Sequence, residues 1–577
     1  MASGREQATL LLAGGRLVNV FTNEVHAADV LVAGRLIAGI FDPDDGAAAE
    51  RRRNAVEVVD LHGAFVVPGL IDGHVHIESS LVSAAEYARG VLGRGVTGAV
   101  CDPHEIANVA GENGVRWLLE ATDTLPFDVW VTVPSCVPSS PFETVGADFG
   151  LPAMERLLEH PRVVGVAELM SYPDVVAGDP ATLAKARLGE ERSLPVEGHA
   201  PGLSGAALQA YLASGVGSDH ESTVLEEGMN KLRSGAFLMV REGSVTRDLN
   251  ALMPLVHERH GDRIGFVTDD RLPHDLLTEG ALELMVRRAV AAGVNPAYAV
   301  RCASLNVALH YRLPRRGAVA AGYFADLAVV PDLSEYAPSA VYKDGRLVAE
   351  GGAVLPGLIG EGSAGGETVL ATVHLPALTE ASFALRHAGG PVRCMVALPN
   401  TIVTAQTTET PTVEGGAVVT EPQRDLLKLA CVERHGVNGN VGLGLVKGFG
   451  LAAGALASSV GHDHHNLMIV GASDADMLLA ARRLQELGGG FVAVGGGEVL
   501  AELALPLAGL MTDLSLERTR DALDALDAAA KALGCSLPSP YMALSFLGLA
   551  VVPELRLTDM GLVDVPQGRL VPLAADG

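Results

Sequence analysis

The sequence is poor in cysteine and in basic residues, and each shortage excludes a class of protein. Its cysteines form no C-x-x-C pair, which argues against a disulfide framework and against a cysteine-rich zinc site. Lys and Arg number 42 against 69 Asp and Glu, so the net charge of −27 argues against nucleic acid as the main partner. The six cysteines are Cys101, Cys136, Cys302, Cys394, Cys431 and Cys535.

Long apolar runs are also missing. No stretch of about 18 uninterrupted apolar residues occurs, so we expect no membrane span. Met1–Gln7 is short and polar and has no apolar signal core, so we expect a protein of the reducing cytoplasm.

The chain has 577 residues, of which 48% are hydrophobic and 67 are glycine. This composition is typical of a packed α/β protein with two or more domains.

Similar glycine turns lie near the start of the chain and about three hundred residues later. Ala13-Gly14-Gly15, Ala33-Gly34-Arg35 and Asp344-Gly345 each separate two apolar runs, a pattern that predicts β-hairpins. We therefore expect residues 1–65 and 312–360 to form one small β-sandwich. A larger domain, residues 66–311, would be inserted between its two parts.

The inserted region alternates short apolar runs with helix-like stretches. Repeats of this kind predict a parallel sheet, and eight of them can close into a (β/α)8 TIM-like barrel. Catalytic residues of such barrels lie at the C-terminal ends of the strands. The predicted strands are Val66–Ile71, Gly95–Cys101, Phe127–Thr132, Val163–Ala167, Pro195–Gly198, Gly215–Ser218, Ala236–Val240 and Ile264–Thr268.

A C-terminal α+β domain is predicted for residues 361–577. Glu361–Glu367 has the composition of a flexible linker. Ser473 can cap a helix over Asp474–Leu487, and Leu516–Leu533 indicates a second helix. Leu467–Val470 and Phe491–Val494 are predicted strands.

Metal-ligand residue types follow five of the predicted barrel strands. His74 and His76 are two residues apart, so on a strand they share a face and can bind one metal together. The mixture of imidazole and carboxylate groups suits Zn, Mn or Fe better than Mg or Ca. Six ligands exceed the three usual for one catalytic zinc, so we expect two ions bridged by Glu168 and a hydroxide. The predicted ligands are His74, His76, Glu168, His199, His220 and Asp269.

These residues resemble the amidohydrolase superfamily. Longer motifs occur along essentially the whole chain: His76–Ser80, Asp102–Val109, Pro134–Pro138, Gly198–Pro201, Ser218–Glu221, Thr268–Asp270, Lys447–Gly450, Gly461–Asn466 and Gly509–Met511. In these motifs the chain resembles the adenine deaminase family. Glu168 replaces the carboxylated lysine of hydantoinases and dihydroorotases, and no P-C-x-x-C of cytidine-type deaminases is present.

The resemblance implies a purine base as substrate, deamination of adenine to hypoxanthine and ammonia, and Mn or Fe as the metal. The alternatives are another amidohydrolase, such as a cyclic amidase or an amino-sugar deacetylase, and an inactive relative that serves as a binding or assembly module. Barrel hydrolases often self-associate, so we expect a homo-oligomer, with a dimer favoured.

Catalytic roles are predicted for Asp269, as the group that moves the proton, and for Glu168. The predicted substrate-binding residues are Asp102, His104, Glu105, Glu78 and Glu221. Helix capping is the alternative for Asp102 and Glu78, and orientation of a metal ligand is the alternative for Glu221.

Two other features of the sequence also concern the site. The cluster His462–Asn466 could be an additional metal site, a lid over the barrel or a hydrogen-bonded turn. Glu197 and Gly73 are expected to be local variants of the family pattern that contact no proposed ligand.

Overall fold

A computed structural model describes residues 6–360, 366, 369–399 and 401–575. The predicted linker Glu361–Glu367 lies outside the described residues, except for Gly366. In the described part of the chain, no helix combines the length and the apolar character that crossing a membrane requires.

The N-terminal segment forms one side of a mainly antiparallel sheet. Strand β1 continues through Gly14 and Gly15 with a bulge, so the hairpin predicted there is wrong. Because β2 pairs with both halves of β1, and Gly14 takes the left-handed φ of +67°, the glycines allow a bulge instead of a chain reversal. The elements are β1 (Ala8–Asn19), β2 (Glu24–Ala33), β3 (Leu36–Phe41), α1 (Ala48–Asn54), β4 (Ala55–Asp60) and β5 (Phe65–Pro68).

Parallel strands follow, in the eight places where the sequence predicted them. The first barrel strand starts at Leu70 instead of Val66, because Val66 and Val67 pair with a strand of the outer sheet. The strands are β6 (Leu70–Val75), β7 (Val96–Cys101), β8 (Asp128–Val133), β9 (Val163–Leu169), β10 (Val196–Gly198), β11 (Ser218–Asp219), β12 (Phe237–Arg241) and β13 (Ile264–Val267).

Helices connect these strands, as a (β/α) barrel requires. They are α2 (Ala84–Leu92), α3 (His104–Ala121), α4 (Leu151–Leu157), α5 (Tyr172–Ala177), α6 (Pro180–Glu191), α7 (Gly205–Ala213), α8 (Leu225–Arg233) and α9 (Leu249–Leu252). After the last strand come α10 (Pro273–Thr278), α11 (Leu282–Ala291), α12 (Pro296–Cys302) and α13 (Leu305–His310).

The ring of strands meets at two seams. Strands β6 to β10 form one parallel sheet and β11 to β13 form another. At one seam Gly217 N donates to Val196 O at 2.9 Å, and at the other His76 N donates to Asp269 O at 3.1 Å. The fold is therefore TIM-like, and the second seam brings the ends of the first and last strands together.

The chain then returns to the outer sheet with β14 (Leu327–Val330), β15 (Ala340–Lys343), β16 (Arg346–Glu350) and β17 (Ala353–Val354). Strand β14 pairs with β5, so the two distant segments share one sheet, as the repeated turns indicated. The predicted hairpins at Gly34 and at Asp344-Gly345 are confirmed as the turns between β2 and β3 and between β15 and β16.

The last part of the chain mixes strands and helices. The helix over Asp474–Leu487 is confirmed, with the Ser473 side chain accepting from Asp476 N and Gly488 ending it at a φ of +75°. The elements are β18 (Val392–Ala397), β19 (Thr404–Glu409), β20 (Val413–Glu414), β21 (Ala417–Val418), β22 (Leu427–Val432), β23 (Val441–Lys447), β24 (Ala455–Ser458), β25 (Leu467–Gly471), α14 (Asp474–Leu487), β26 (Gly490–Gly495), β27 (Glu498–Ala504), α15 (Leu516–Ala532), α16 (Pro540–Phe546), β28 (Leu555–Thr558), β29 (Gly561–Asp564) and β30 (Arg569–Val571).

Candidate metal centre and substrate cavity

His74 and His76 project from the end of β6 with matching hydrogen bonds. His74 Nδ1 donates to Glu197 Oε2 at 2.9 Å, and His76 Nδ1 donates to Asp102 O at 2.9 Å. Each bond leaves Nε2 with its lone pair, and the buried Nε2 of His74 has no hydrogen-bond partner among the described residues. The expectation that Glu197 contacts no proposed ligand is therefore wrong, because it orients His74.

Glu168, at the end of β9, lies at the centre of the predicted ligands. Its Oε2 is 2.6 Å from His199 Nδ1 and 3.3 Å from His220 Nε2. Its Oε1 is 3.6 Å from His76 Nε2 and 3.9 Å from His74 Nε2. One carboxylate therefore faces both histidine pairs.

Asp269 follows β13 and joins the same group. Its Oδ1 is 3.4 Å from His74 Nε2 and 3.2 Å from His76 Nε2. The structure thus brings all six predicted ligands to one place at the C-terminal ends of the strands.

Within this group the imidazoles and the carboxylates each favour the ionised form of the other. Burial opposes ionisation throughout, but Glu221 and Glu168 outweigh it and raise the pKa of His199 to about 9. Despite burial, His220 and His199 hold the pKa of Glu168 well below its usual range. The nearby rings of His74 and His76 do the same, against burial, for the pKa of Asp269.

The donor atoms fit a divalent metal. Ligand atoms of His74, His76 and Asp269 lie within 4.8 Å of one another, and so do those of His199, His220 and Glu221. Imidazole nitrogens with carboxylate oxygens suit transition ions, and the unpartnered His74 Nε2 supplies a lone pair that no hydrogen-bond donor uses. The residues present therefore fit the metal that the donor chemistry predicts.

Arg241, at the end of β12, is a site residue that the sequence analysis missed. It is buried, forms an ion pair with Glu221, and donates to Asp269 Oδ2 at 3.0 Å and Asp248 Oδ2 at 3.1 Å. Its position directly after an apolar strand was the available signal, because strand ends carry the chemistry of such barrels.

The predicted substrate-binding residues fall into two groups. His104, Glu105 and Glu221 line a cavity of about 470 Å³ next to the metal-ligand group. Asp102 accepts from His104 N and His104 Nδ1, both at 3.1 Å, so it holds the start of α3 and orients His104. Glu78 accepts from Ile106 N at 3.2 Å, and burial raises its pKa to about 7.

The His462–Asn466 cluster lies at the mouth of the barrel. Glu105 Oε1 is 2.5 Å from His462 Nδ1, and Glu105 Oε2 bonds to His465 Nε2. His462 and Asp463 line the cavity, so this segment of the C-terminal region forms part of its wall. The cluster therefore joins the two halves of the chain at the site.

A TIM-like barrel with histidines and carboxylates converging at its strand ends defines a metal-dependent hydrolase of the amidohydrolase class. The family model "Amidohydrolase family" matches residues 65–348, and "Adenine deaminase C-terminal domain" matches residues 401–569.

Relatives along the whole chain identify the particular family. The protein named adenine deaminase of Desulfatibacillum aliphaticivorans is 45% identical over 564 residues, covering 98% of this chain and 97% of the relative. That of Kosmotoga olearia is 42% identical, covering 99% and 98%. The adenine deaminase 2 of Carboxydothermus hydrogenoformans is 42% identical, covering 100% and 98%. The chain belongs to the adenine deaminase family.

Proposed function

We propose that this protein hydrolyses adenine to hypoxanthine and ammonia. The observation that carries this function is the convergence of the six ligand residues beside a cavity, in a chain whose full-length relatives are named adenine deaminase. In the reaction a water oxygen bonds to C6 of the base, the C6–N bond breaks, and the amino group leaves as ammonia.

Two divalent ions are proposed for the site, with Mn or Fe favoured and Zn as a further possibility. His74, His76 and Asp269 would hold one ion, since their ligand atoms lie within 4.8 Å of one another, and His199 with His220 would hold the other. Glu168 would be a ligand of both ions, since its Oε1 lies near His76 and its Oε2 near His199. A metal bound there lowers the pKa of water from 15.7 towards about 7 and so makes it a nucleophile at neutral pH.

Asp269 is proposed to move the proton. Its Oδ1 faces the ligand histidines, while Arg241 holds Oδ2 at 3.0 Å and so fixes the direction of the carboxylate. The carboxylate would take the proton of the attacking water at Oδ1 and return it to the base as the amino group leaves. Arg241 also pairs with Glu221, which places Glu221 at the cavity wall to meet the substrate.

His104 and Glu105 are also proposed to bind the base. Both line the cavity, and Asp102 holds the His104 ring through Nδ1. His104 Nε2 therefore faces away from Asp102 and is available to the substrate. Glu78 and Asp102 would act indirectly, through the positions of α3 and His104.

Ammonia release from adenine tests the function directly. The protein is loaded with Mn, and a portion is stripped with a chelator. The Mn-loaded protein should release one ammonia for each hypoxanthine formed, and the stripped protein should not until metal is restored. Ammonia-free turnover of a dihydropyrimidine or an N-acetyl amino sugar, with adenine unchanged, would favour another amidohydrolase function.

We further propose that the outer sheet packs as a β-sandwich domain, that the C-terminal region is a separate α+β domain, and that the protein works as a cytoplasmic homodimer. The six cysteines are free and buried in the structure, which is compatible with a reducing compartment. The eight-stranded sheet with α14 and α15 supports a domain of its own.

A further inference from the structure

The half of the cavity away from the metal ligands is built by the C-terminal region. Phe546 stacks on His462, with ring centroids 4.7 Å apart and ring planes inclined by 12°. Most of this wall is apolar, as pockets for flat aromatic ligands are. Its members are Thr401, Ile402, Val403, His462, Asp463, Phe546, Leu549, Val551, Val552 and Pro553.

Asp463 is the only carboxylate that the C-terminal part of this described wall provides. It is 3% exposed, and its Oδ2 has no hydrogen-bond partner among the described residues. Its Oδ1 is 3.8 Å from His104 Nε2 and 3.8 Å from His462 Nδ1, beyond hydrogen-bond distance in both cases. A buried carboxylate without a donor is costly, and Asp463 lines the cavity, so a ligand that brings an N–H group to this side chain is expected.

The His104 ring separates Asp463 from the metal-ligand group. Its Nδ1 is 3.6 Å from Glu168 Oε1, and its Nε2, on the other side of the ring, is 3.8 Å from Asp463 Oδ1. Glu168 and Asp463 line the same cavity, so a base whose reacting carbon lies near Glu168 can extend its far edge towards Asp463. In adenine, the edge remote from the amino-bearing carbon C6 carries N3 and N9, and in the 9H tautomer N9 bears the ring N–H.

We propose that Asp463 accepts the hydrogen bond of this ring N–H, so that the C-terminal region determines which purines the site binds. The assignment rests on the adenine deamination proposed above and adds a specificity-determining residue to it. An acceptor at this position favours the free base over any purine whose five-membered ring is substituted on nitrogen.

A third metal ion is the competing occupant, because ligand atoms of His104, Glu105 and Asp463 also lie within 4.8 Å of one another. Both oxygens of Glu105 already bond to imidazoles, those of His462 and His465. A metal would have to displace at least one of these bonds, whereas a substrate N–H needs only the Asp463 carboxylate, which lines the cavity and has no hydrogen bond with His104 or His462. The geometry therefore favours the hydrogen bond.

Asp463→Ala and Asp463→Asn test the assignment in the full-length, Mn-loaded protein, with adenine, 7-methyladenine and 9-methyladenine as probes. Both methylated bases lack the ring N–H. For adenine, Asp463→Ala should lower kcat/KM about 10- to 150-fold, the worth of a hydrogen bond to a charged group. Asp463→Asn keeps an acceptor oxygen and should retain an intermediate activity. For the methylated bases, neither substitution should lower kcat/KM.

Asp476→Ala is the matched control, because Asp476 is also a buried aspartate of the C-terminal region but bonds to Gly497 N, away from the cavity. It should leave the ratio of adenine to methyladenine activity unchanged. An equal loss on all three bases in Asp463→Ala, or the loss of one bound metal ion per chain, would overturn the assignment. Failure of the unsubstituted protein to deaminate adenine would instead refute the proposed function itself.

Discussion

Glu197 accepts a hydrogen bond from His74 Nδ1 at 2.9 Å, and both side chains are buried. The bond fixes the proton on Nδ1 and turns Nε2 towards the metal-ligand group. A carboxylate in this position also makes the imidazole a stronger ligand.

Glu197→Gln should therefore weaken metal retention, with a loss of about 10- to 100-fold in metal affinity or activity. Glutamine can still accept the bond but carries no charge. Metal content after dialysis against a graded chelator series measures the effect. Glu190→Gln, at an exposed position, makes the same charge change and should retain metal like the unsubstituted protein. If Glu197→Gln retains as much metal as the unsubstituted protein, the charge of Glu197 makes no contribution to metal binding.

Asp269→Asn should separate metal binding from turnover. Asparagine keeps the shape and tolerates the left-handed φ of +59° at this position, but it cannot take a proton. Bound metal should stay near the normal level while kcat falls by roughly 100- to 10,000-fold, the usual worth of a general base. Single-turnover deamination and metal analysis on the same sample give both quantities.

Asp270→Asn is the adjacent control for Asp269, since the sequence offers both aspartates for the same role. It should retain most of the activity. If Asp269→Asn is active and Asp270→Asn is inactive, the proton-moving role belongs to Asp270.

The ligand set could be predicted because it depends only on local order along the chain. Each ligand follows an apolar strand. Because the barrel strands are parallel, their C-terminal ends lie together at one end of the barrel, irrespective of the conformation of the loops. Glu197 was misjudged because its partner lies 123 residues away, and no pattern near Glu197 indicates which side chain it meets. The same holds for His465 and Glu105, which are 360 residues apart.

The outer sheet shows the limit of local turn signals. The Asp344-Gly345 pair makes a hairpin, whereas Gly14-Gly15 makes a bulge inside one strand. Glycine permits both conformations, and the pairing of β2 with both halves of β1 decides between them. Strand pairing over a distance, unlike the position of an apolar run, cannot be derived from a short motif.

Arg241→Met should destabilise the barrel strongly. Arg241 is buried between Glu221, Asp269 and Asp248, and its removal leaves buried carboxylates without their cation. Breaking a buried pair in this way costs about 3–5 kcal/mol of unfolding free energy. Urea denaturation of the metal-free protein measures the loss.

Arg247→Met is the surface counterpart. Arg247 pairs with Glu279 and Asp275, but its side chain is 39% exposed, so its loss should cost about 1 kcal/mol or less. Similar denaturation midpoints for the two variants would contradict the assignment of Arg241 to a buried charge network.

His464 should make the stability of the protein fall in mild acid. It is fully buried, its Nδ1 accepts from Asn466 N at 2.9 Å, and Nε2 faces Gly548 without a hydrogen-bond partner among the described residues. Burial lowers the pKa of His464 to about 3. The folded chain therefore keeps this ring neutral at pH 5, while the unfolded chain, with an ordinary pKa near 6.5, takes up a proton.

Stability from the neutral His464 ring is thus fully present above about pH 6.5 and declines as the pH falls towards 3, since the unfolded state binds the extra proton. Between pH 7 and pH 5 the loss amounts to about 2 kcal/mol. His464→Asn removes the titration, and its Oδ1 can replace Nδ1 as the acceptor for Asn466 N. Urea midpoints of both proteins at pH 7 and pH 5 isolate this contribution, because all other titrating groups are shared. The substituted protein should lose less stability in acid than the unsubstituted one, and parallel losses would mean that His464 is protonated in the folded state.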